Sequence, residues 1–213
     1  VKIGLVIYMA DLLARKRDDI RSFWKGFVPP TIIVGIVLVE LAMEPDFGTG
    51  FLISAIIFSM LFIAGIRWRY LLIVGTSMIP PVGYLIATKG TYIIHRVRSF
   101  LTADLNDLGR GYQQNAALMA MGRGGVTGTG LGDGMFKHHF IPEAHNDFIL
   151  AIIGEEFGLL GSLFVVAMFA LLLTASVRVF MKSKSLYSAL IVFGLTFSIV
   201  SQAIINIAVV TKA

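Results

Sequence analysis

The ionisable side chains with the types and spacing to do chemistry stand beside the ends of apolar runs. Asp147 closes Phe140-Ile141-Pro142-Glu143-Ala144-His145-Asn146 and opens a long apolar stretch. A carboxylate at such a mouth can take the proton from an attacking hydroxyl as a general base. An aspartate there can equally cap the helix that follows, which is its commoner role. Asp46, behind Pro45 and ahead of another apolar run, has the same two readings. Glu155 and Glu156 fall about two helical turns inside an apolar stretch, a costly place for charge unless it is paired or faces a cavity. Arg96, with Arg98 and Arg110 downstream, offers guanidinium forks that match phosphate oxygens, or else anchors a membrane helix at its interface. Gln113, Lys137 and His145 are further candidates for polar ligand contacts.

The elements that must hold these groups are apolar helices. Of 213 residues, 56% are hydrophobic and only 15% charged, against about a quarter charged in soluble domains, and the mean hydropathy is +0.82. Five runs, 28–43, 47–66, 70–88, 157–177 and 186–210, approach or exceed the roughly 20 residues that cross a hydrocarbon core. Without water at that depth, each backbone amide must be satisfied within its own segment, which a helix does alone. The expected fold class is therefore all-α, a polytopic transmembrane helical bundle with one long extracytoplasmic loop. Cysteine is absent, which excludes disulfides and thiolate-held zinc. The chain opens on Val1 with no signal-peptide pattern and stops soon after an apolar run, so it is read as a piece of a longer protein lacking material at both ends.

Positive charge stays on the cytoplasmic side, and the short connections sort accordingly. Arg15, Lys16, Arg17, Arg21 and Lys25 precede the first run, Arg67 and Arg69 separate the second and third, and Arg178, Lys182 and Lys184 separate the fourth and fifth. The layout that follows is one membrane domain. It has a cytoplasmic or interfacial segment 1–26, three spans in 27–88, an extracytoplasmic loop 89–147 and two spans in 148–213. Residues 1–14, broken by Lys2 and Asp11, read as an interfacial helix or the tail of a truncated span. The net charge of +5 is accounted for by this topology and by contact with anionic membrane lipids, not by nucleic acid, since no basic patch carries interleaved aromatics.

Within 111–161 a helical run at 115–121 leads into Gly122-Arg123-Gly124-Gly125 and then glycines at 128, 130, 132 and 134. Alternate glycines do not make a stable strand; they let backbone approach backbone or ligand. Neither a βαβ dinucleotide fingerprint nor a P-loop is present. Taken in order, EPDFGTG at 44–50, GYQ at 111–113, LMAMGRGGVTGTGLGDG at 118–134 and IPEAHNDF at 141–148 resemble the SEDS family of peptidoglycan polymerases (FtsW, RodA, SpoVE). The wording is nearer the division and sporulation members than the elongation type. Asn146 stands where the family commonly has Thr, Phe47 where Leu is usual, and Leu101-Thr102-Ala103 where Trp-Asn-Pro is typical.

The resemblance implies a glycosyltransferase of the bacterial inner membrane that polymerises lipid II into glycan strands. It favours Asp147 as general base over Asp147 as helix cap. A diphosphate leaves well once its charge is neutralised, so one carboxylate suffices where a glycosidase needs two. Arg96, Gln113, Lys137 and His145 then become substrate contacts, with Asp46, Glu143, Glu155 and Glu156 in support. His138, His139 and His145 with Glu143 lack a metal-binding spacing. A divalent cation, Mg²⁺ or Mn²⁺, bridging diphosphate and carboxylate is the cofactor this chemistry leaves open. The implied partner is a class B penicillin-binding protein, the crosslinking transpeptidase. The competing readings are a lipid II flippase or other membrane transporter, and a non-catalytic scaffold for division proteins.

Overall fold

The computed structural model describes residues 1–43, 47–77, 110–134 and 148–211, and among these every regular element is helical. The helices are α1 (Lys2–Arg15), α2 (Val28–Met43), α3 (Phe47–Ile63), α4 (Trp68–Ser77), α5 (Arg110–Gly124), α6 (Ile149–Lys182) and α7 (Leu186–Thr211). Phe23–Leu41, Ile149–Lys182 and Leu186–Thr211 are long and apolar enough to cross a membrane, and Gly48–Ile63 is apolar but shorter. The expected run at 70–88 opens with α4, and its residues 78–88 lie outside the described residues. Contacts divide the chain into two compact units, Val1–Val82 with Leu172–Ser201, and Gly83–Leu171 with Gln202–Ala213.

The first unit packs α1, α2 and α3 with the first part of α7 around Val6, Met9, Leu13, Ile56, Met60 and Leu190. α1 buries one face in this core while Ile3, Ile7 and Tyr8 remain exposed, a division suited to a helix with protein on one side and lipid on the other. A π-helical turn, Phe23–Phe27, leads into α2 because Pro29 and Pro30 cannot donate backbone hydrogen bonds. The Lys25 carbonyl, which Pro29 leaves without its helical donor, accepts a hydrogen bond from Lys16 Nζ at 3.2 Å. At its far end α3 stops in a Schellman motif, Gly65 N–H donating to Phe62 and Ile66 N–H to Leu61, with the Ile66 side chain buried. Tyr70 then stacks against Phe23 and Phe27 at 5.2 and 5.5 Å, which brings the basic connectors around Arg21 and Arg67 together. Hydroxyls inside the helices, such as Thr31, Ser54 and Ser59, bond back to the carbonyl four residues earlier and so hide their polarity.

In the second unit α5 packs through Ala116 and Ala117 with Phe148, Leu150 and Ala151 of the start of α6, together with Val210 of α7. α5 runs further at both ends than the 115–121 expected from the sequence. α6 begins eight residues before the expected 157–177 and is broken within its length at Gly158. The chain between α5 and Gly134 forms a glycine-rich loop that folds against this break.

Candidate functional site

The break in α6 comes from Gly158, whose φ of 67° and ψ of −159° lie in a region that is essentially reserved for glycine. A regular helix would pair Leu159 N–H with the Glu155 carbonyl and Leu160 N–H with that of Glu156. Neither bond forms. Leu159 donates instead to Gly125 O at 2.9 Å and Leu160 to Val126 O at 3.3 Å. The two released carbonyls accept from the same loop, Thr129 N–H to Glu155 O at 3.0 Å and Gly130 N–H to Glu156 O at 3.1 Å. Thr129 Oγ1 adds a second donor on the Glu155 carbonyl at 3.1 Å. The loop thus replaces the missing turn, and the Leu159 and Leu160 amides and the Glu155 and Glu156 carbonyls freed by the break are paired, as a buried position demands. A Cβ on Gly158 would collide with Gly128 N and the Val126 carbonyl, so the contact requires backbone against backbone.

Glu155 is the one charged residue that is buried among the described residues, with no exposed surface. Its Oε1 lies 3.5 Å from Nη1 of Arg123, a residue on the last turn of α5 with a side chain 41% exposed. Gly134, at the far end of the loop, sits over both glutamates. A Cβ built there would be 3.0 Å from Glu155 Oε2 and 3.3 Å from Glu156 Oε1. Burying a carboxylate is costly unless a cation and hydrogen bonds compensate it, and Arg123 supplies the cation. The structure therefore brings Glu155, Glu156 and the glycine loop together. It also shows that the close approach expected of the glycines is backbone on backbone.

Gln113 stands in the first turn of α5. Asp46, Arg96, Lys137, Glu143, His145 and Asp147 lie outside the described residues. Phe148, the residue after Asp147, is buried and its carbonyl accepts from Ala151 N–H at 2.9 Å, so the start of α6 is well tied. Neither Arg123 nor Gly158 is among the candidates that the sequence offers. The available signal is the arginine inside Gly-Arg-Gly-Gly, a cation within a glycine-rich stretch that precedes two acids in an apolar run. No group of three or more His, Cys, Asp or Glu that would hold a metal occurs among the described residues.

The family model for FtsW, RodA and SpoVE, described as a cell cycle protein, matches residues 1–213. The chain belongs to the FtsW/RodA/SpoVE family. Among its relatives is the probable peptidoglycan glycosyltransferase FtsW of Geobacter sp. strain M18, 35% identical over 99% of this chain and 57% of the relative. The protein of the same name from Coxiella burnetii is 37% identical over 98% of this chain and 57% of the relative. The chain thus spans a little over half the length of the curated relatives it matches. A solved chain from work on the coordination of polymerization and crosslinking by a peptidoglycan synthase complex superposes with a TM-score of 0.70, covering 98% of this chain and 57% of that one. At 22% identity that likeness establishes the fold. Family membership and the long apolar helices make this FtsW/RodA/SpoVE chain part of a multi-pass membrane protein.

Proposed function

We propose that the full-length protein is a peptidoglycan glycosyltransferase of the bacterial inner membrane that polymerises lipid II, with Asp147 as general base. The observation that carries this reading is the family match over residues 1–213, joined by relatives named probable peptidoglycan glycosyltransferase FtsW. Asp147 removes the proton from the acceptor sugar hydroxyl as that oxygen attacks the donor anomeric carbon. The bond to the diphosphate-lipid breaks, and Arg96 neutralises the leaving charge. Gln113, Lys137 and His145 contact substrate, while Asp46, Glu143, Glu155 and Glu156 support the site. A class B penicillin-binding protein crosslinks the product, and tethering it raises its effective concentration at the nascent strand.

The proposed layout keeps 1–26 cytoplasmic or interfacial, three spans in 27–88, the loop 89–147 outside and two spans in 148–213. The basic connectors support it, because all three fall on one side under alternation. Purified full-length protein, supplied with lipid II and its transpeptidase, should make glycan chains that disappear in Asp147→Asn. Asparagine still caps a helix, so that substitution separates capping from catalysis. Near wild-type polymerisation by Asp147→Asn would refute the general-base assignment. Translocation of lipid II without any polymer would favour a flippase. A single cysteine replacing the exposed Thr127 should react with reagents that do not cross the membrane. Reaction only with membrane-permeant reagents would overturn the topology.

A further inference from the structure

We propose that Arg123 and Glu155 are positioning residues that, with the glycine loop, fix the half-helix 149–157 and through it the place of the carboxylate at 147. This rests on the reading of Asp147 as the general base. A helical segment of nine residues has little stability of its own, so its direction must come from what it touches. Its far end is cut at Gly158, and there the loop takes over the Glu155 and Glu156 carbonyls while Leu159 and Leu160 bond to the loop's own carbonyls. Its near end is held by Phe148, Leu150 and Ala151 against Ala116 and Ala117 of α5. Arg123, the last cation of α5 before the loop begins, reaches Glu155 and so ties α5, the loop and the half-helix at one point.

Glu155 has no exposed surface, and Gly134 covers its second oxygen. It therefore does not meet a substrate, and its effect on the reaction passes through geometry. Asp147 is joined to this frame by the single peptide bond to Phe148. Displacing a reacting group by about 1 Å can cost on the order of a hundredfold in rate. Loss of the ion pair should consequently lower turnover and leave lipid II binding, made by other groups, largely intact.

The experiment uses the full-length protein with lipid II and its transpeptidase. Glu155→Gln and Arg123→Met should each reduce the maximal polymerisation rate by roughly 10- to 100-fold, with the half-saturating lipid II concentration changed by less than about twofold. Arg123→Lys, which keeps the charge, should recover most of the rate. Because the 213 residues contain no cysteine, Ala151→Cys reports on the half-helix directly, once any cysteine elsewhere in the full-length chain is replaced. This buried position should react with maleimide about tenfold faster or more when Arg123→Met is added. A control cysteine at Leu190→Cys, in the core of the other unit, should show no change. Should Arg123→Met fail to accumulate, Arg123→Gln is read by the same two criteria. Wild-type turnover in both Glu155→Gln and Arg123→Met, or unchanged protection of the cysteine at 151, overturns the proposal. Persistence of polymerisation in Asp147→Asn, with the cysteine nonetheless unmasked by Arg123→Met, would instead overturn the general-base reading and leave the clamp standing.

Discussion

The buried positions of the two units differ in kind. In the unit built from 1–82 and 172–201 most of the fully buried side chains are large and apolar, Met9, Leu13, Ile53, Ile56, Met60 and Leu190 among them, with Ala10 a small one. In the other unit they are mostly small, Ala117, Ala120 and Ala151 with Val210, together with the carboxylate of Glu155. Bulky side chains hold helix axes about 8–10 Å apart and leave no room for a backbone to enter between them. Alanine and glycine remove that spacing, so loop amides reach helix carbonyls and the Glu155 carboxylate can be enclosed. In a membrane, where lipid competes equally for apolar surface, the first arrangement relies on close packing and the second adds hydrogen bonds between segments. The first tolerates small adjustments of shape. The second has fixed partners, which is the property a reacting group needs from its support.

Identical substitutions in the two regions give the sharpest test of this difference. Gly158→Ala places a Cβ on backbone atoms and forces alanine into a glycine-only conformation. Backbone strain of about 1–3 kcal/mol and overpacking of about 1–3 kcal/mol together predict a loss of roughly 4 kcal/mol. The shift in denaturation midpoint of the reconstituted protein measures it, and hydrogen exchange at Leu159 and Leu160 should accelerate in parallel. A loss below about 1 kcal/mol would mean that the loop does not depend on the close approach of Gly158 and Gly128.

Met60→Ala tests the other side of the comparison. Met60 is fully buried in the first core, and truncating such a side chain costs about 2–5 kcal/mol through lost contacts and the cavity left behind. We expect about 3 kcal/mol, with the exchange rates of Thr129 and Gly130 unchanged. Distant, independent sites usually add to within about 0.5 kcal/mol, so the Gly158→Ala, Met60→Ala double variant should show simple addition if the two units are separately packed. Acceleration of exchange at Thr129 by Met60→Ala alone would break the comparison.

How far these features were legible in the sequence follows the same division. Long apolar runs are local signals, so α2 falls at 28–43 as expected and α7 at Leu186–Thr211 against an expected 186–210. The expected run at 157–177 lies inside α6, whose start at Ile149 agrees with the apolar stretch that Asp147 opens. Glu155 and Glu156 interrupt the hydropathy, and nothing local reveals that Arg123 would pair with the buried Glu155. The glycines announced a close approach without naming its partner, because the exchange of four hydrogen bonds exists only once loop and helix have met. Arg123 is hard to read from sequence for a related reason. An arginine among glycines looks like a solvated loop residue until a buried acid is placed beside it. The role proposed for Asp147 rests on resemblance alone, since a helix cap and a general base require the same residue at the same position.

Gly194→Ala is expected to cost much less than Gly158→Ala, although a Cβ there also has little space. Its nearest neighbours are Val6 Cγ1 at 2.5 Å and Met60 Sδ at 2.9 Å, side-chain atoms and not backbone. Met60 is unbranched and can turn away, whereas the β-branched Val6 resists. Alanine inside a helix also returns about 1 kcal/mol of propensity relative to glycine. The net loss should be about 1 kcal/mol, readable from the same denaturation midpoint. A loss equal to that of Gly158→Ala would show that the first unit is as rigidly specified as the second.

The smallest effect is predicted for the ion pair with the better distance. Arg15 Nε lies 2.9 Å from a carboxylate oxygen of Asp11, four residues earlier on α1, against 3.5 Å between Arg123 and Glu155. Distance alone would rank the α1 pair first. Burial reverses the order, because the side chains of Arg15 and Asp11 are 78% and 43% exposed while that of Glu155 is wholly enclosed. An exposed pair on one helix is screened by solvent and is worth about 0.3–0.5 kcal/mol, and its loss returns both groups to water at little cost. Removing Arg123 instead takes the nearby cation from a carboxylate that cannot reach water, which is the costly way to break a pair. Arg15→Ala should therefore shift the denaturation midpoint by no more than about 0.5 kcal/mol, and raising salt should shrink even that. The midpoint shift of Arg123→Met should be larger at every ionic strength and nearly independent of salt. Equal shifts for the two variants, or a strong salt dependence at Arg123, would show that Glu155 is open to solvent and that the second unit is not closed around its charge.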